Sequence, residues 1–166
     1  MQLRRWQHEA VKAALTKYET EHPHFLCLAT PGAGKTFMAS RIAKELMDSG
    51  KIDLVFCFSP SVNVATSFQA SIESQLKCKL DGLLGSKGRS LTYQSMPSQD
   101  LSFWSLLSQY KTLVIFDEIH HCAGDNLDNA NVWGQKIIQH IQGEADYTLA
   151  LSGTPWRSDK VPIALS

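Results

Sequence analysis

Three short stretches of the sequence carry the residue types that bind and hydrolyse a polyphosphate. Residues 29–36 read Ala-Thr-Pro-Gly-Ala-Gly-Lys-Thr, and residues 117–120 read Asp-Glu-Ile-His. A nucleoside triphosphate has a tail of several negative charges, which a protein must hold and neutralise before phosphoryl transfer. The third stretch, residues 152–155, reads Ser-Gly-Thr-Pro and follows another apolar run. Together the three stretches predict a nucleotide-driven motor rather than a generic nucleotide binder.

The stretch at 29–36 departs from the strict phosphate-loop pattern, because Ala29 stands where GxxxxGK[ST] has its first glycine. Gly32 and Gly34 still allow the backbone to wrap closely around phosphates. Lys35 supplies a point charge for the β- and γ-phosphates, and Thr36 supplies a hydroxyl for magnesium. The plain alternative is a glycine-rich turn with a surface lysine, but an apolar strand before the loop and a helix after it favour phosphate binding. The other predicted loop contacts are Thr30, Pro31 and Ala33.

The acidic pair Asp117–Glu118 directly follows the apolar run 112–116. Asp117 is expected to assist a magnesium ion, and Glu118 to polarise the attacking water as a general base. Two solvated acids at a surface corner are the plain alternative. His120 begins a His-His-Cys sequence, but a single cluster of this kind is a poor zinc site. We therefore interpret His120 as a coupling residue near the γ-phosphate.

The elements that position these residues alternate along the chain. Apolar runs of strand length occur at 25–29, 54–58, 112–116 and 148–152, with a weaker run at 90–93. The four stronger runs are continuous rather than alternating, as expected for strands covered on both faces. Segments of helical periodicity lie between them; Gly50 is predicted to stop the second helix, and Ser59 and Pro60 to open the third as N-cap and first helical residue. The pattern predicts an α/β fold whose mainly parallel sheet is flanked by helices on both faces.

Bulk composition indicates one globular domain that spans residues 1–166. The hydrophobic share is 43%, the charged share is 19% and the net charge is +0. No global basic field attracts nucleic acid, although a local patch would suffice. The four cysteines are scattered without a CxxC motif, which favours a reducing, cytoplasmic location. No apolar run approaches the length of a membrane span, so we expect no membrane partner.

The motifs AxxGxGKT, DEIH and SGTP, in this order, resemble the first motor domain of superfamily 2 helicases and translocases of the DExH branch. The resemblance covers nearly the whole chain and implies a RecA-like fold that binds ATP and Mg2+. Residues 3–7 look like the N-terminal helix of the subgroup related to type I and III restriction motor subunits and DNA-repair helicases. In that subgroup the glutamine that matches Gln7 reads the adenine edge, which implies Arg4 and Gln7 at the nucleotide base. A merely solvated Gln7 on an amphipathic helix is the alternative.

The same resemblance implies contacts with nucleic acid, DNA more readily than RNA. Residues Ser59, Pro60 and Ser61 match a turn that meets backbone phosphates, although the basic residue common there is absent. Thr92 matches a second backbone-touching segment, and a buried strand end is its plain alternative. Ser152 and Thr154 match the motif that links the nucleotide state to the nucleic-acid groove. The basic segment 77–89 either helps to hold a strand or is simply solvated.

Motors of this superfamily use a second RecA-like domain, which supplies arginines to the transition state. We expect such a domain as a partner beyond Ser166. The leading hypothesis is the ATP-binding domain of a nucleic-acid helicase or translocase. Alternatives are a nucleotide-switched module that binds a protein, or the motor part of a restriction endonuclease. A small-molecule kinase is disfavoured, because SGTP follows DEIH and no lid-like basic segment is evident.

Overall fold

The computed structural model describes residues 4–20, 22–28, 34–118 and 129–152 of the chain, with side chains described throughout except at 28 and 129–136. Within these residues, strands and helices alternate as the apolar pattern predicts. In chain order the elements are α1 (Arg5–Glu19), β1 (His24–Leu28), α2 (Lys35–Asp48), β2 (Leu54–Ser59), α3 (Val62–Leu76), β3 (Gly88–Thr92), a 3₁₀ helix (Tyr93–Ser98), α4 (Leu101–Gln109), β4 (Thr112–Phe116), α5 (Asn129–Glu144) and β5 (Tyr147–Ser152).

The described strands form one five-stranded sheet in the order β1-β5-β4-β2-β3. Every pair in it is parallel, and the register aligns Phe58 with Phe116 and Ser59 with Thr92. The carboxyl ends of all five strands therefore lie along one edge of the sheet, where ligands bind in open α/β folds. This confirms the predicted α/β class with a parallel sheet.

Both faces of the sheet are buried, which explains why the strand sequences are continuously apolar. Side chains alternate between the faces along each strand. One face packs against α1, α2 and α3 through Val55, Cys57, Leu113 and Ile115. The other face packs against α4 and α5 through Phe56, Phe58, Val114 and Phe116.

The start of α3 differs from the prediction that Ser59 caps it. Ser59 is instead the last residue of β2 and is fully buried, with its hydroxyl 3.7 Å from the Cys57 sulfur. The N-cap is Ser61, whose hydroxyl accepts a hydrogen bond from the Val64 backbone N–H at 3.3 Å. The predicted cap was wrong because both serines satisfy the sequence preference, and strand pairing to Thr92 retains Ser59 in the sheet.

The predicted C-terminal end of the second helix, α2, is confirmed. This helix ends at Asp48, and Gly50 adopts the left-handed φ of 76° expected of a residue that terminates a helix.

In the described part of the chain, no helix combines the length and the apolar character needed to cross a bilayer.

Candidate active site

Lys35 brings the phosphate loop and the acidic strand end together. It is the first residue of α2, so its side chain extends from the positive end of that helix. Its Nζ atom contacts the Glu118 carboxylate and lies 3.3 Å from Oδ1 of Asp117. Exposed fractions of the three side chains are 11% for Lys35, 2% for Asp117 and 18% for Glu118. The structure therefore places one cation and two carboxylates in a largely desolvated cluster at the carboxyl edge of the sheet.

The donor set of this cluster fits a magnesium ion and a polyphosphate. Two carboxylates against one ammonium leave an excess negative charge that a divalent cation would offset. Thr36, the next residue of α2, is half-buried and adds a hydroxyl oxygen near that edge. The described residues contain no cluster of three or more histidine, cysteine or acidic side chains that would hold a metal. Mg2+ does not require such a cluster, because it commonly binds through one or two carboxylates, substrate phosphates and water.

Gln7 packs directly against the end of the phosphate loop. Its side chain is 3% exposed, and its Nε2 atom donates to the Gly34 carbonyl at 2.9 Å. Its Oε1 atom accepts from the Arg4 backbone N–H at 2.6 Å, while the Arg4 side chain is exposed. These two bonds use one donor and one lone pair of the Gln7 amide, which has two of each. Gln7 is thus next to the phosphate loop rather than solvated on the surface of α1.

Gly34 occupies a position that other residues would not fit. Its φ is 87°, in the left-handed region, and it forms the N-cap of α2. A Cβ atom built on Gly34 would lie 2.4 Å from Nε2 of Gln7. The backbone conformation therefore favours glycine, and a side chain here would also displace the Gln7 amide.

The backbone of Asp117 is held at both of its polar groups. Its N–H donates to the Phe58 carbonyl at 2.9 Å, and its carbonyl accepts from the Tyr93 hydroxyl at 2.7 Å. The next residue, Glu118, has a φ of 50°, which is uncommon for a residue with a side chain. Sequence reasoning missed Tyr93, although it directly follows the predicted contact residue Thr92.

The two segments predicted to contact nucleic acid lie side by side. Ser59 and Thr92 are register partners at the ends of β2 and β3. The Gln94 side chain donates to the Pro60 carbonyl at 3.3 Å and so connects the segments. Ser61 is exposed and Thr92 is half-buried, whereas the Ser59 hydroxyl is buried. The turn at Pro60 and Ser61 is therefore more accessible to solvent than the Ser59 hydroxyl.

Ser152 ends β5, which lies between β1 and β4 in the sheet. Its register partner Leu28 is the last residue of β1, directly before the phosphate loop. Ser152 is fully buried at the same edge as the acidic pair. The other predicted site residues lie outside the described residues: Thr30, Pro31, Gly32, Ala33, His120 and Thr154.

One protein family and two mycobacterial proteins match nearly the whole of this chain. The family described as "Type III restriction enzyme, res subunit" matches residues 1–157. An uncharacterized protein of Mycobacterium tuberculosis is 36% identical over 171 residues, which cover 97% of this chain and 27% of that protein. An uncharacterized protein of Mycobacterium leprae is 33% identical over the same shares of the two chains. The chain thus spans about a quarter of the length of these relatives.

Comparison with solved structures shows the same fold. The Sulfolobus solfataricus SWI2/SNF2 ATPase core, solved with double-stranded DNA, superposes with a TM-score of 0.74 at 14% identity, covering 99% of this chain and 35% of that one. The UvsW helicase of bacteriophage T4 gives 0.64 at 17% identity, covering 99% and 56%. The Type ISP restriction-modification enzyme LlaGI, solved with a DNA substrate mimic, gives 0.62 at 16% identity, covering 98% and 18%. These likenesses show that the described sheet and helices form an α/β RecA-like fold.

Proposed function

Because the chain belongs to the type III restriction enzyme res subunit family, we propose that it is the first RecA-like motor domain of an ATP-dependent helicase or translocase. One observation carries the proposal. Lys35, Asp117 and Glu118 converge at the carboxyl edge of the sheet, at the positive end of α2. The motor is proposed to move along nucleic acid, and DNA is preferred to RNA. Its proposed partner is a second RecA-like domain. A cytoplasmic location stays a prediction.

Each residue of the cluster has a separate proposed role in ATP hydrolysis. Lys35 exchanges its carboxylate partners for the β- and γ-phosphate oxygens, since the ammonium pairs readily with either kind of anion. Thr36 and Asp117 would hold Mg2+, whose charge neutralises the phosphate tail when it is bound. Once Lys35 has moved away, the Glu118 carboxylate is able to accept a proton from the attacking water. Residues 30–33 are proposed to wrap the phosphates, and His120 to lie near the γ-phosphate.

Base recognition and coupling complete the proposal. Gln7, with Arg4 beside it, is proposed to read the adenine edge while it contacts the phosphate loop at Gly34. Ser152 and Thr154 are proposed to link the nucleotide state to the strand, which Pro60, Ser61 and Thr92 contact through backbone phosphates. Such contacts position nucleic acid without reading its sequence.

The decisive experiment measures phosphate release by the full-length protein that contains this domain. We expect turnover to rise when DNA is added, and Lys35→Ala to abolish it by removing the main phosphate cation. Lys44→Ala is the matched control on the same helix, because the Lys44 ammonium pairs with Asp48 near the distal end of α2. Turnover that Lys35→Ala leaves intact contradicts the phosphate-loop assignment.

Two alternatives give distinct results in the same assay. A nucleotide-switched protein-binding module would hydrolyse ATP at a rate that neither DNA nor RNA changes. The motor part of a restriction endonuclease, with which the family match is also consistent, would respond to DNA and also cleave it in the full-length protein. DNA-stimulated turnover without cleavage supports a helicase or translocase.

A further inference from the structure

Tyr93 connects the end of β3 to the acidic pair. It is the first residue of the 3₁₀ helix and directly follows Thr92. Its hydroxyl donates to the carbonyl of Asp117, the residue that directly follows β4, at 2.7 Å. The contact is to the backbone, so the hydroxyl reaches the site without competing for the carboxylates.

The peptide that Tyr93 holds is the one that leads into Glu118. Asp117 is already fixed on its N–H side by the Phe58 carbonyl at 2.9 Å. The Tyr93 bond fixes its carbonyl, and with it the plane of the peptide between Asp117 and Glu118. The φ of Glu118 is 50°, a left-handed conformation that residues with side chains adopt only when their surroundings impose it. Without the Tyr93 bond this peptide is able to rotate and Glu118 to relax to a negative φ, which would redirect its carboxylate.

The ring of Tyr93 is itself held in place by aromatic packing. It stacks on Phe58 with a centroid distance of 6.4 Å and an interplanar angle of 22°. Phe58 stacks in turn on Phe116, at 6.0 Å and 19°, directly before Asp117. Phe58 and Phe116 are fully buried, so the stack is a fixed support rather than a surface contact. Replacing Tyr93 by phenylalanine would keep this packing and remove only the hydroxyl.

We propose that Tyr93 is a positioning residue, whose hydroxyl holds the Asp117–Glu118 peptide so that Glu118 presents its carboxylate to the attacking water. The inference rests on the proposed ATPase function of the same site. It assigns no contact between Tyr93 and ATP, because the hydroxyl acts through the backbone. The effect of removing the hydroxyl should therefore fall on the chemical step and not on nucleotide binding.

The test compares Tyr93→Phe with the wild-type full-length protein at saturating DNA. We expect kcat for ATP hydrolysis to fall about tenfold, the scale of one well-placed hydrogen bond, while KM for ATP stays within about twofold. Affinity for a non-hydrolysable ATP analogue should also be unchanged. In a Glu118→Gln background, Tyr93→Phe should not lower the residual rate further, because both changes act on the same group.

Tyr18→Phe is the matched control. The Tyr18 hydroxyl donates to the Thr148 carbonyl at the same 2.7 Å, but at the opposite edge of the sheet. We expect this variant to lower the unfolding temperature and to leave kcat unchanged. A wild-type kcat in Tyr93→Phe overturns the proposal, and so does a joint loss of kcat, ATP affinity and unfolding temperature, which indicates a general structural role. Wild-type protein without ATPase activity overturns the proposed function, and this inference with it.

Discussion

Lys35 connects the two carboxylates of the candidate active site. Its ammonium is shared between Asp117 and Glu118 in a cluster where the Asp117 side chain is 2% exposed. Desolvated carboxylates are stable only when they are paired, so Lys35 compensates the acids that magnesium would otherwise neutralise. In the proposed function, binding of ATP with Mg2+ would therefore replace one set of charge pairs by another rather than fill an uncharged pocket.

The contact between Gly34 and Gln7 predicts an effect of Gly34→Ala on ATP affinity that the sequence motif alone does not. Gly34→Ala introduces a methyl group 2.4 Å from Nε2 of Gln7, at a φ of 87°. We expect affinity for an ATP analogue to fall at least about tenfold, because the Gln7 amide must move away and lose its hydrogen bond to Gly34. The loss of stability should be only about 1 kcal/mol, the usual penalty for a side chain in the left-handed region. Calorimetric titration and urea denaturation measure the two effects.

Gly50→Ala is the control for this prediction. Gly50 has a similar φ of 76°, but no atom lies within 4 Å of the position that a Cβ atom would take there. It should lose comparable stability and retain full affinity for the ATP analogue. Equal affinities in the two variants would show that the contact between Gly34 and Gln7 plays no part in nucleotide binding.

Contacts between two side chains were easier to predict from the sequence than hydrogen bonds from a side chain to the backbone. The meeting of Lys35 with Asp117 and Glu118 follows from motif order and from strand ends that share one edge of the sheet. The bonds from Gln7 to Gly34 and from Tyr93 to Asp117 both end on carbonyl oxygens. Every residue has a carbonyl oxygen, so nothing in the residue types marks which one accepts. Their contribution became evident only in three dimensions.

Among the elements, β2 and β4 were the most predictable. Their uninterrupted apolar sequences indicated burial on both faces, and the two core clusters confirm it. β3 was predicted from a weaker run at 90–93, whereas the strand spans Gly88–Thr92. It starts earlier because Gly88 pairs with Val55, and it ends earlier because Tyr93 turns into the 3₁₀ helix. A glycine carries no apolar signal, so sequence patterning could not place that boundary.

Gly88 lies where β3 approaches β2 so closely that it has the least room for a side chain among the glycines of the described residues. A Cβ atom there would lie 1.7 Å from the Val55 carbonyl oxygen, and the φ of Gly88 is 147°. Gly88→Ala therefore cannot be accommodated without separating the start of β3 from β2. We expect the free energy of unfolding to fall by about 3 kcal/mol or more, within the range of severe backbone substitutions. Urea denaturation followed by circular dichroism measures this change.

Gly85→Ala provides the comparison for Gly88→Ala. Gly85 lies in the preceding loop with a φ of 85°, and a Cβ atom added to it would have no neighbour within 4 Å. Its substitution should cost about 1 kcal/mol, from backbone conformation alone. If the two variants lost the same stability, the close approach between β3 and β2 would not be what requires glycine at position 88.

At the scale of the whole molecule, the domain presents its site along an open edge of the sheet. Lys35, Asp117, Ser152 and Thr92 lie at strand ends or at the start of α2 along that edge. In the proposed function, the described residues would provide one wall of a nucleotide site. The proposed second RecA-like domain would provide the facing wall and the arginines that stabilise charge in the transition state.

The 166-residue chain on its own should behave differently from a protein with two motor domains. We expect it to bind ATP with Mg2+ weakly, to bind single-stranded DNA barely and to show essentially no DNA-stimulated hydrolysis. A single wall holds the nucleotide incompletely, and an arginine finger accounts for about three to five orders of magnitude in rate. The net charge of +0 also gives little of the counterion release that drives non-specific DNA binding. Steady-state phosphate release with and without single-stranded DNA tests this, with Lys35→Ala as the background control. Robust DNA-stimulated turnover by the chain alone would mean that two copies complete the site together, or that no second domain is needed.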